Sequence, residues 1–187
     1  MIRSDFIAEL HCSYGQVGIA DTHLIPTLGS VFNELTQDGW LCARKGRPGN
    51  GFEPIVFKFE YLEETADRIH YQIKCRSPAS DGWARLEQGL DGWLGLYGTN
   101  LIGAATDLLD PPRLLDRLQG SNFWKIETLQ EWDGELASAE AVDFYLRDAQ
   151  GYRVSNIYSS PSDTWYFHAG NREGEILTFS LRNIRLA

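Results

Sequence analysis

The sequence predicts a single α+β domain, built mainly on an antiparallel sheet of roughly eight strands with about three helices packed on one face. Its length of 187 residues suits one domain with a sizeable core. Apolar and polar residues alternate over much of 55–75, which is typical of strands with one buried face. Strands come in runs and do not alternate with helices, which favours an antiparallel sheet. No shift in composition marks a linker, so we expect residues 1–187 to form one domain.

The clearest strand signal is a hairpin. Residues Ile55–Tyr61 and Ile69–Cys75 alternate in polarity and are joined by a short polar segment. A second hairpin is predicted around Gln150-Gly151, joining the predicted strands 141–147 and 152–158. The remaining predicted strands are 6–14, 40–45, 123–132, 141–147, 152–158, 165–168 and 175–185.

Three segments have apolar residues at helical spacing. Over 21–37 they recur every three or four positions, and Pro26 fits the first turn. The longest segment, 83–109, carries an apolar stripe. Its glycines at every third position from Gly89 to Gly98 each cost about 1 kcal/mol of helix propensity relative to alanine. A short helix over 113–119 follows an Asp-Pro-Pro start signal.

The net charge restricts the class of partner. Seventeen basic residues against 26 acidic ones give a formal charge of −9. Nucleic acids and anionic membranes are disfavoured as main partners, because both repel a negative surface. The stretch Glu127–Asp148 holds seven acids against one base, Arg147. This stretch is either a solvated face or a docking surface for an electropositive partner.

The cysteines and the N-terminal residues predict a cytoplasmic protein. Cys12, Cys42 and Cys75 are odd in number and widely spaced, so we expect reduced, mostly buried thiols. Met1–Asp5 lacks the apolar run of a signal peptide. The longest charge-free apolar stretch is too short to span a bilayer.

No segment carries an established catalytic or cofactor motif. The glycine patterns of nucleotide-binding loops and the GxSxG turn of hydrolases are absent. A zinc site at His11, Asp21 and His23 is conceivable because these segments adjoin, but a helix start at Asp21 explains the same residues better. We therefore predict neither a metal nor a cofactor, and the balance favours binding over catalysis.

One order of elements resembles a known family. Helix, three strands and helix, as predicted for 21–109, resemble in outline the core of the restriction-endonuclease-like nucleases. That resemblance would give Glu60, Gln72 and Lys74 the task of holding Mg²⁺ and polarising water. The family's proline-aspartate pair is absent, and Gln72 supplies no charge. Cross-strand polar pairing, with Lys58 and Glu60 opposite Gln72 and Lys74, explains the same residues without a metal.

A basic loop stands out in this acidic chain. Arg44, Lys45 and Arg47 lie in a segment rich in glycine and proline between two predicted strands. Cations on a hairpin tip could bind a phosphate or a partner's carboxylate. Turn formation and ordinary surface exposure account for the same composition, so a possible anion-binding loop is one of two interpretations.

The function we predict is an acidic intracellular module that binds a basic partner protein. Small bacterial immunity proteins and antitoxins, which inhibit a partner, are similar in size, charge and α+β character. The alternative is a small-molecule-binding domain or small enzyme with a pocket between the sheet and the glycine-rich helix. A metal-dependent nuclease-like domain is third. The predicted partner-binding residues are Trp124, Glu127, Glu131, Trp132, Asp133, Glu135 and Trp165.

Overall fold

The computed structural model describes residues 2–20, 37–44, 52–65, 68–76, 83–89, 92–97, 123–160 and 164–187. Within these ranges the chain has fourteen strands and one 3-10 helix, Leu136–Ala141. An eleven-stranded antiparallel sheet holds most of the strands, and β11, β12 and β13 form a separate three-stranded sheet. The strands are β1 (Phe6–Cys12), β2 (Gly15–Ala20), β3 (Gln37–Ala43), β4 (Phe52–Pro54), β5 (Val56–Glu64), β6 (Ile69–Arg76), β7 (Trp83–Gln88), β8 (Leu94–Tyr97), β9 (Trp124–Thr128), β10 (Phe144–Arg147), β11 (Val154–Ser159), β12 (Thr164–Ala169), β13 (Glu175–Ile176) and β14 (Phe179–Leu186).

The predicted α+β class is wrong, because the described chain is nearly all β. The helix expected over 83–109 instead begins with β7 and β8. In β7 every second residue is buried at Ala84 and Leu86, which is the period of a strand and not of a helix. Gly92, with a φ of +91°, permits the sharp turn between the two strands. The rest of that segment, the helix at 113–119 and all of 21–36 lie outside the described residues.

Strict alternation predicted the β5–β6 hairpin correctly. Phe57 and Phe59 are buried while Lys58 and Glu60 lie on the other face, and the register pairs Phe59 with Ile73. The hairpin predicted around Gln150-Gly151 is formed only next to its turn, where the amide of Gly151 donates to the carbonyl of Asp148 and one antiparallel bridge joins Arg147 to Arg153. Beyond this bridge the two strands separate. There β10 pairs with β9 and β14, whereas β11 pairs with β12 and β13. The turn between β10 and β11 thus passes the chain from one sheet to the other.

Three long stretches of strand run through the large sheet. The first is β1 and β2, which are joined by a tight turn beside which they pair briefly with each other. They pair antiparallel with the second stretch, β4 followed by β5: β1 with β5 and β2 with β4. The third is β6, which pairs with β5 along its length. The other edge of β6 is divided: its first half pairs with β9 and its second half with β7.

This division closes the sheet on itself. From β9 the pairings run through β10 and β14 back to β1, so six strands (β1, β5, β6, β9, β10, β14) close one end. From β7 they run through β8 and β3 back to β2, which closes the other end. A closed sheet leaves few exposed strand edges, and its inward-facing residues form the core.

Aromatic side chains fill the interior at the first end. The rings of Phe6 and Phe59 stack at a centroid distance of 4.6 Å, and Tyr71 packs edge-on against both. The Tyr71 hydroxyl donates to the carbonyl of Ile2, which satisfies its polar atom inside the core. Burial raises the pKa of Tyr71 well above its ordinary value, so the hydroxyl stays protonated.

The three-stranded sheet packs against the large one and contributes to its core, where Phe167 of β12 contacts Phe179 of β14. Tyr166 of β12 forms a second, smaller apolar cluster with Ala20 and Cys42, flanked by Trp40 and Trp93. The small sheet also contacts the large one through β11, which lies against β10. The small sheet therefore lies across the place where the two strand sets of the large sheet meet.

Gly92 lies at a close approach between the sheets, which generates a stability prediction. A Cβ atom there would lie 2.2 Å from Nε2 of the buried His168. Gly92→Ala should therefore lower the free energy of unfolding by about 3 kcal/mol, from positive-φ strain plus overpacking. Gly151 is the matched control, because its φ is +95° and a Cβ would meet nothing within 4 Å.

Gly151→Ala should lose only about 1–2 kcal/mol, the cost of the backbone conformation alone. Urea denaturation of both variants and the unsubstituted chain measures the difference. Equal losses would show that the contact between Gly92 and His168 is absent in solution.

Candidate functional site

The candidate site is the segment Leu129–Asp143, which joins β9 to β10 and is called the acidic loop below. Its ends meet, because the amide of Leu129 donates to the carbonyl of Asp143 at 2.9 Å. The side-chain amide of Gln130 donates to the carbonyl of Ala141 at 3.0 Å. Long surface loops with joined ends that pack on their own side chains are Ω-loops, and these often carry function.

A hydrogen-bond network holds the acidic loop in one conformation. The indole N–H of Trp132 donates to Oγ of Ser138 at 2.7 Å, and that hydroxyl donates to Oδ1 of Asp133 at 2.8 Å. The same carboxylate oxygen accepts from the amide of Glu135 at 3.0 Å. Hydrogen bonds to the ionised form, first that of Glu135, lower the pKa of Asp133. Asp133 is therefore ionised at neutral pH and holds the loop together.

The acidic loop also covers one end of the closed sheet. Trp132 is half-buried against the core, and Ala139 and Val142 are buried. Together with Phe6 and Tyr71 these side chains line a cavity of about 10 Å³. Such a cavity holds one water at most. This cavity is too small for a ligand, and the loop presents its carboxylates to solvent.

That polar side carries only negative charge. The segment contains no lysine, arginine or histidine. The nearest cation in contact is Arg182, whose guanidinium donates to the backbone carbonyl of Glu140 at 3.3 Å. Five carboxylates lie at exposed positions: Glu131, Asp133, Glu135, Glu140 and Asp143.

The two outermost acids of the predicted stretch do not belong to this surface. Glu127 accepts from Nε of Arg147 at 2.6 Å and lies 3.4 Å from Nη2 of Arg153. These partners, Arg147 first, lower the pKa of Glu127. Asp148 is only 3% exposed, and its Oδ1 accepts from the amide of Tyr152 at 2.8 Å. Burial raises the pKa of Asp148.

The three predicted tryptophan anchors are in three different environments. Trp124 is 3% exposed and donates its indole N–H to the carbonyl of Leu86 at 2.9 Å, so its expected exposure is wrong. It alternates with Lys125 in β9 and faces the core. Trp132 is the half-buried anchor of the acidic loop. Trp165 is 46% exposed, but it lies on the small sheet beside Tyr158.

The predicted anion-binding loop is described only at its first residue. Arg44 is exposed at the end of β3, and its amide donates to the carbonyl of Gln16 at 3.0 Å. Lys45 and Arg47 lie outside the described residues. Anion binding by this loop stays a prediction.

The residues of the nuclease-like resemblance form a surface ion-pair ladder. Glu60 lies between two lysines, with Oε1 3.0 Å from Nζ of Lys58 and Oε2 2.7 Å from Nζ of Lys74. Glu60 also pairs directly with Gln72 across the strands. Cross-strand pairing thus accounts for these residues. The order helix, strands, helix is also wrong at its second helix, where β7 and β8 lie.

Two other sites were considered from the sequence, a ligand pocket and a zinc site. The glycine-rich helix that would line a pocket against the sheet is not formed over the described residues 83–89 and 92–97, because these hold β7 and β8. His11 bonds Glu9 through Nε2 at 3.0 Å, while Asp21 and His23 lie outside the described residues. Among the residues that are described, no group of three or more histidine, cysteine, aspartate or glutamate side chains could hold a metal ion.

The predicted acidic stretch includes the exposed carboxylates of the loop, but the loop itself was not predicted. A strand was expected to run through Trp132, whereas β9 ends at Thr128. Glu140 and Asp143 were counted in the acidic stretch but left out of the predicted interface. The Asp133-Gly134 pair is the local signal for a turn, and Gly134 has a φ of +87°.

No family model, curated protein or solved structure matches this chain. Within the described ranges, no helix has the length and apolar character needed to cross a membrane.

Ser138 should be required for the order of the acidic loop. Ser138→Ala removes the acceptor of the Trp132 indole and one donor to Asp133, a loss of about 1–2 kcal/mol in local stability. Amide hydrogen exchange at Glu135 and Ser138 should then accelerate about tenfold. Ser13→Ala, in the exposed turn after β1, is the control. Unchanged exchange in Ser138→Ala would contradict the network.

Asp148 should make the folded state less stable as pH rises. A carboxylate in an ion pair has the opposite effect. Its folded pKa is raised, so its ionisation costs stability, and the cost grows as pH rises through the folded pKa. Asp148→Asn keeps an oxygen for the Tyr152 amide and removes the ionisation. Between about pH 7 and about pH 4, the original chain should gain stability relative to the variant. Denaturation of both at each pH measures this, and a pH-independent difference would contradict the burial of the carboxylate.

Proposed function

We propose that this protein is an acidic binding module whose acidic loop docks on a basic partner protein. The observation that carries the proposal is the ordered loop itself: carboxylates at exposed positions, without a basic side chain in the segment, on a conformation fixed by Trp132, Ser138 and Asp133. An inhibitor of the immunity or antitoxin type, acting in the bacterial cytoplasm, is the form of module that we propose. Size and charge support that form by analogy alone.

Electrostatics give the loop a kinetic role. The carboxylates lie within one short segment, so their fields add at distances of about a Debye length, roughly 8–10 Å in physiological salt. Clustered charge of one sign raises the rate of encounter with an oppositely charged surface and excludes like-charged partners. The acidic loop therefore supplies association rate and orientation.

The order of the acidic loop contributes to binding affinity. A segment that is already held by hydrogen bonds loses little conformational entropy on binding, so more of the contact energy appears as affinity. Leu129, 46% exposed beside the carboxylates, offers an apolar contact at the base of the loop. Apolar contact in a polar rim is the usual composition of a protein interface.

Reduced thiols support an intracellular location. Cys42 and Cys75 are buried thiols and Cys12 is a partly buried one. Burial also raises the pKa of the Cys12 thiol, which keeps it unreactive. Free cysteines are common in the reducing cytoplasm. We therefore propose the cytoplasm as the compartment.

Neutralising the loop without unfolding it tests the proposal. Glu131→Gln/Glu135→Gln removes two exposed charges and spares Asp133, whose carboxylate holds the loop. Glu53→Gln/Glu64→Gln is the control, with the same charge change on β4 and β5. The tagged chain is first used to capture partners from the lysate of its source, with elution by a salt gradient. Association of the captured protein is then measured with each variant.

The loop variant should slow association about fivefold at low salt, and the control should change it by less than about twofold. The difference should shrink as salt is raised, because exposed charges are screened. Equal effects of the two variants would show that only net charge matters. Failure to capture a stoichiometric basic protein would contradict the proposed function.

A further inference from the structure

A second surface lies on the small sheet, apart from the acidic loop. Tyr158 of β11 and Trp165 of β12 are direct cross-strand neighbours. Their ring centroids are 5.5 Å apart with an interplanar angle of 59°, and each residue is 46% exposed. They are called the aromatic pair below. Two large rings held side by side at the surface by a rigid ladder form a ready contact area for a ligand.

Carboxylates rim the aromatic pair. Glu175 pairs with Asn156 on β11, two residues before Tyr158, so it lies on the same face of the sheet. It is exposed, and it accepts a hydrogen bond from the hydroxyl of Tyr14. The preceding Gly174 lies against β11, where an added Cβ would be 2.6 Å from Cγ1 of Ile157. Glu173, also exposed, therefore continues along β11 towards Tyr158.

We propose that the aromatic pair with its acidic rim binds an arginine side chain of a basic partner protein. A guanidinium stacks on the face of an aromatic ring and can bond a carboxylate at the same time, since it is planar and carries five N–H donors. The rim of Glu173 and Glu175 supplies the complementary charge. Lysine, a compact ammonium without a stacking plane, binds such a surface less well.

This inference rests on the proposed function in taking the partner to be basic, but it uses a separate surface that shares no residue with the acidic loop. It is tested on the whole protein with a hexa-arginine peptide, titrated at low salt and followed by NMR of the labelled chain. Trp165→Ala removes half of the aromatic pair without changing charge. Trp83→Ala is the matched control, because Trp83 is 48% exposed at the start of β7. Glu173→Gln/Glu175→Gln tests the rim and keeps an acceptor for Tyr14.

Hexa-arginine should bind saturably, and hexa-lysine about threefold or more weakly. Trp165→Ala should weaken hexa-arginine about three- to fivefold, the rim variant should weaken it further, and Trp83→Ala should leave the dissociation constant unchanged. The proposal is overturned by absent saturation, by equal affinity for both peptides, or by equal losses in Trp165→Ala and Trp83→Ala. A loss in the acidic-loop variant that exceeds the loss in Trp165→Ala would also overturn it.

Discussion

The architecture of this protein follows from the edge of β6, which is divided between two partner strands. Its first half pairs with β9 and its second half with β7, so the sheet closes at both ends around one core. Closure fixes which side chains face inward, and at one end Phe6, Phe59 and Tyr71 occupy that space. With the interior filled there, what this end of the protein recognises must contact its outer surface.

The acidic loop follows from the same closure. The connection from β9 to β10 crosses the open end of the sheet, and Trp132 is its apolar anchor over the core. Once the apolar side is turned inward, the carboxylates are left facing solvent. Ser138 and Asp133 then convert a long connection into an ordered one. The acidic loop covers the end of the sheet, and the same conformation gives the protein a preformed negative surface.

Features set by neighbouring residues could be predicted from the sequence, whereas those set by residues far apart along the chain could not. Alternation is local, so the β5–β6 hairpin was predicted correctly. The apolar spacing of 83–97 fits a helix as well as strands, and only pairing of β7 with β6 and of β8 with β3 decides between them. The loss of Glu127 from the acidic surface depends first on Arg147, which is 20 residues away, and also on Arg153, which is 26 residues away. The burial of Trp124 depends on contact with Leu86 in another strand. Charge density could be counted from the sequence, but the geometry of the loop could not.

Cross-strand nuclear Overhauser effects can measure the closure of the sheet. The account predicts contacts between Tyr71 and Trp124, where β6 meets β9, and between Phe144 and Phe179, where β10 meets β14. Both sets of contacts should be present together with the contacts that join β6 to β7. Absence of either of the first two sets would mean an open sheet with a free edge and an accessible interior. The acidic loop would then cover no core, and a ligand could bind in the interior as well as on the outer surface.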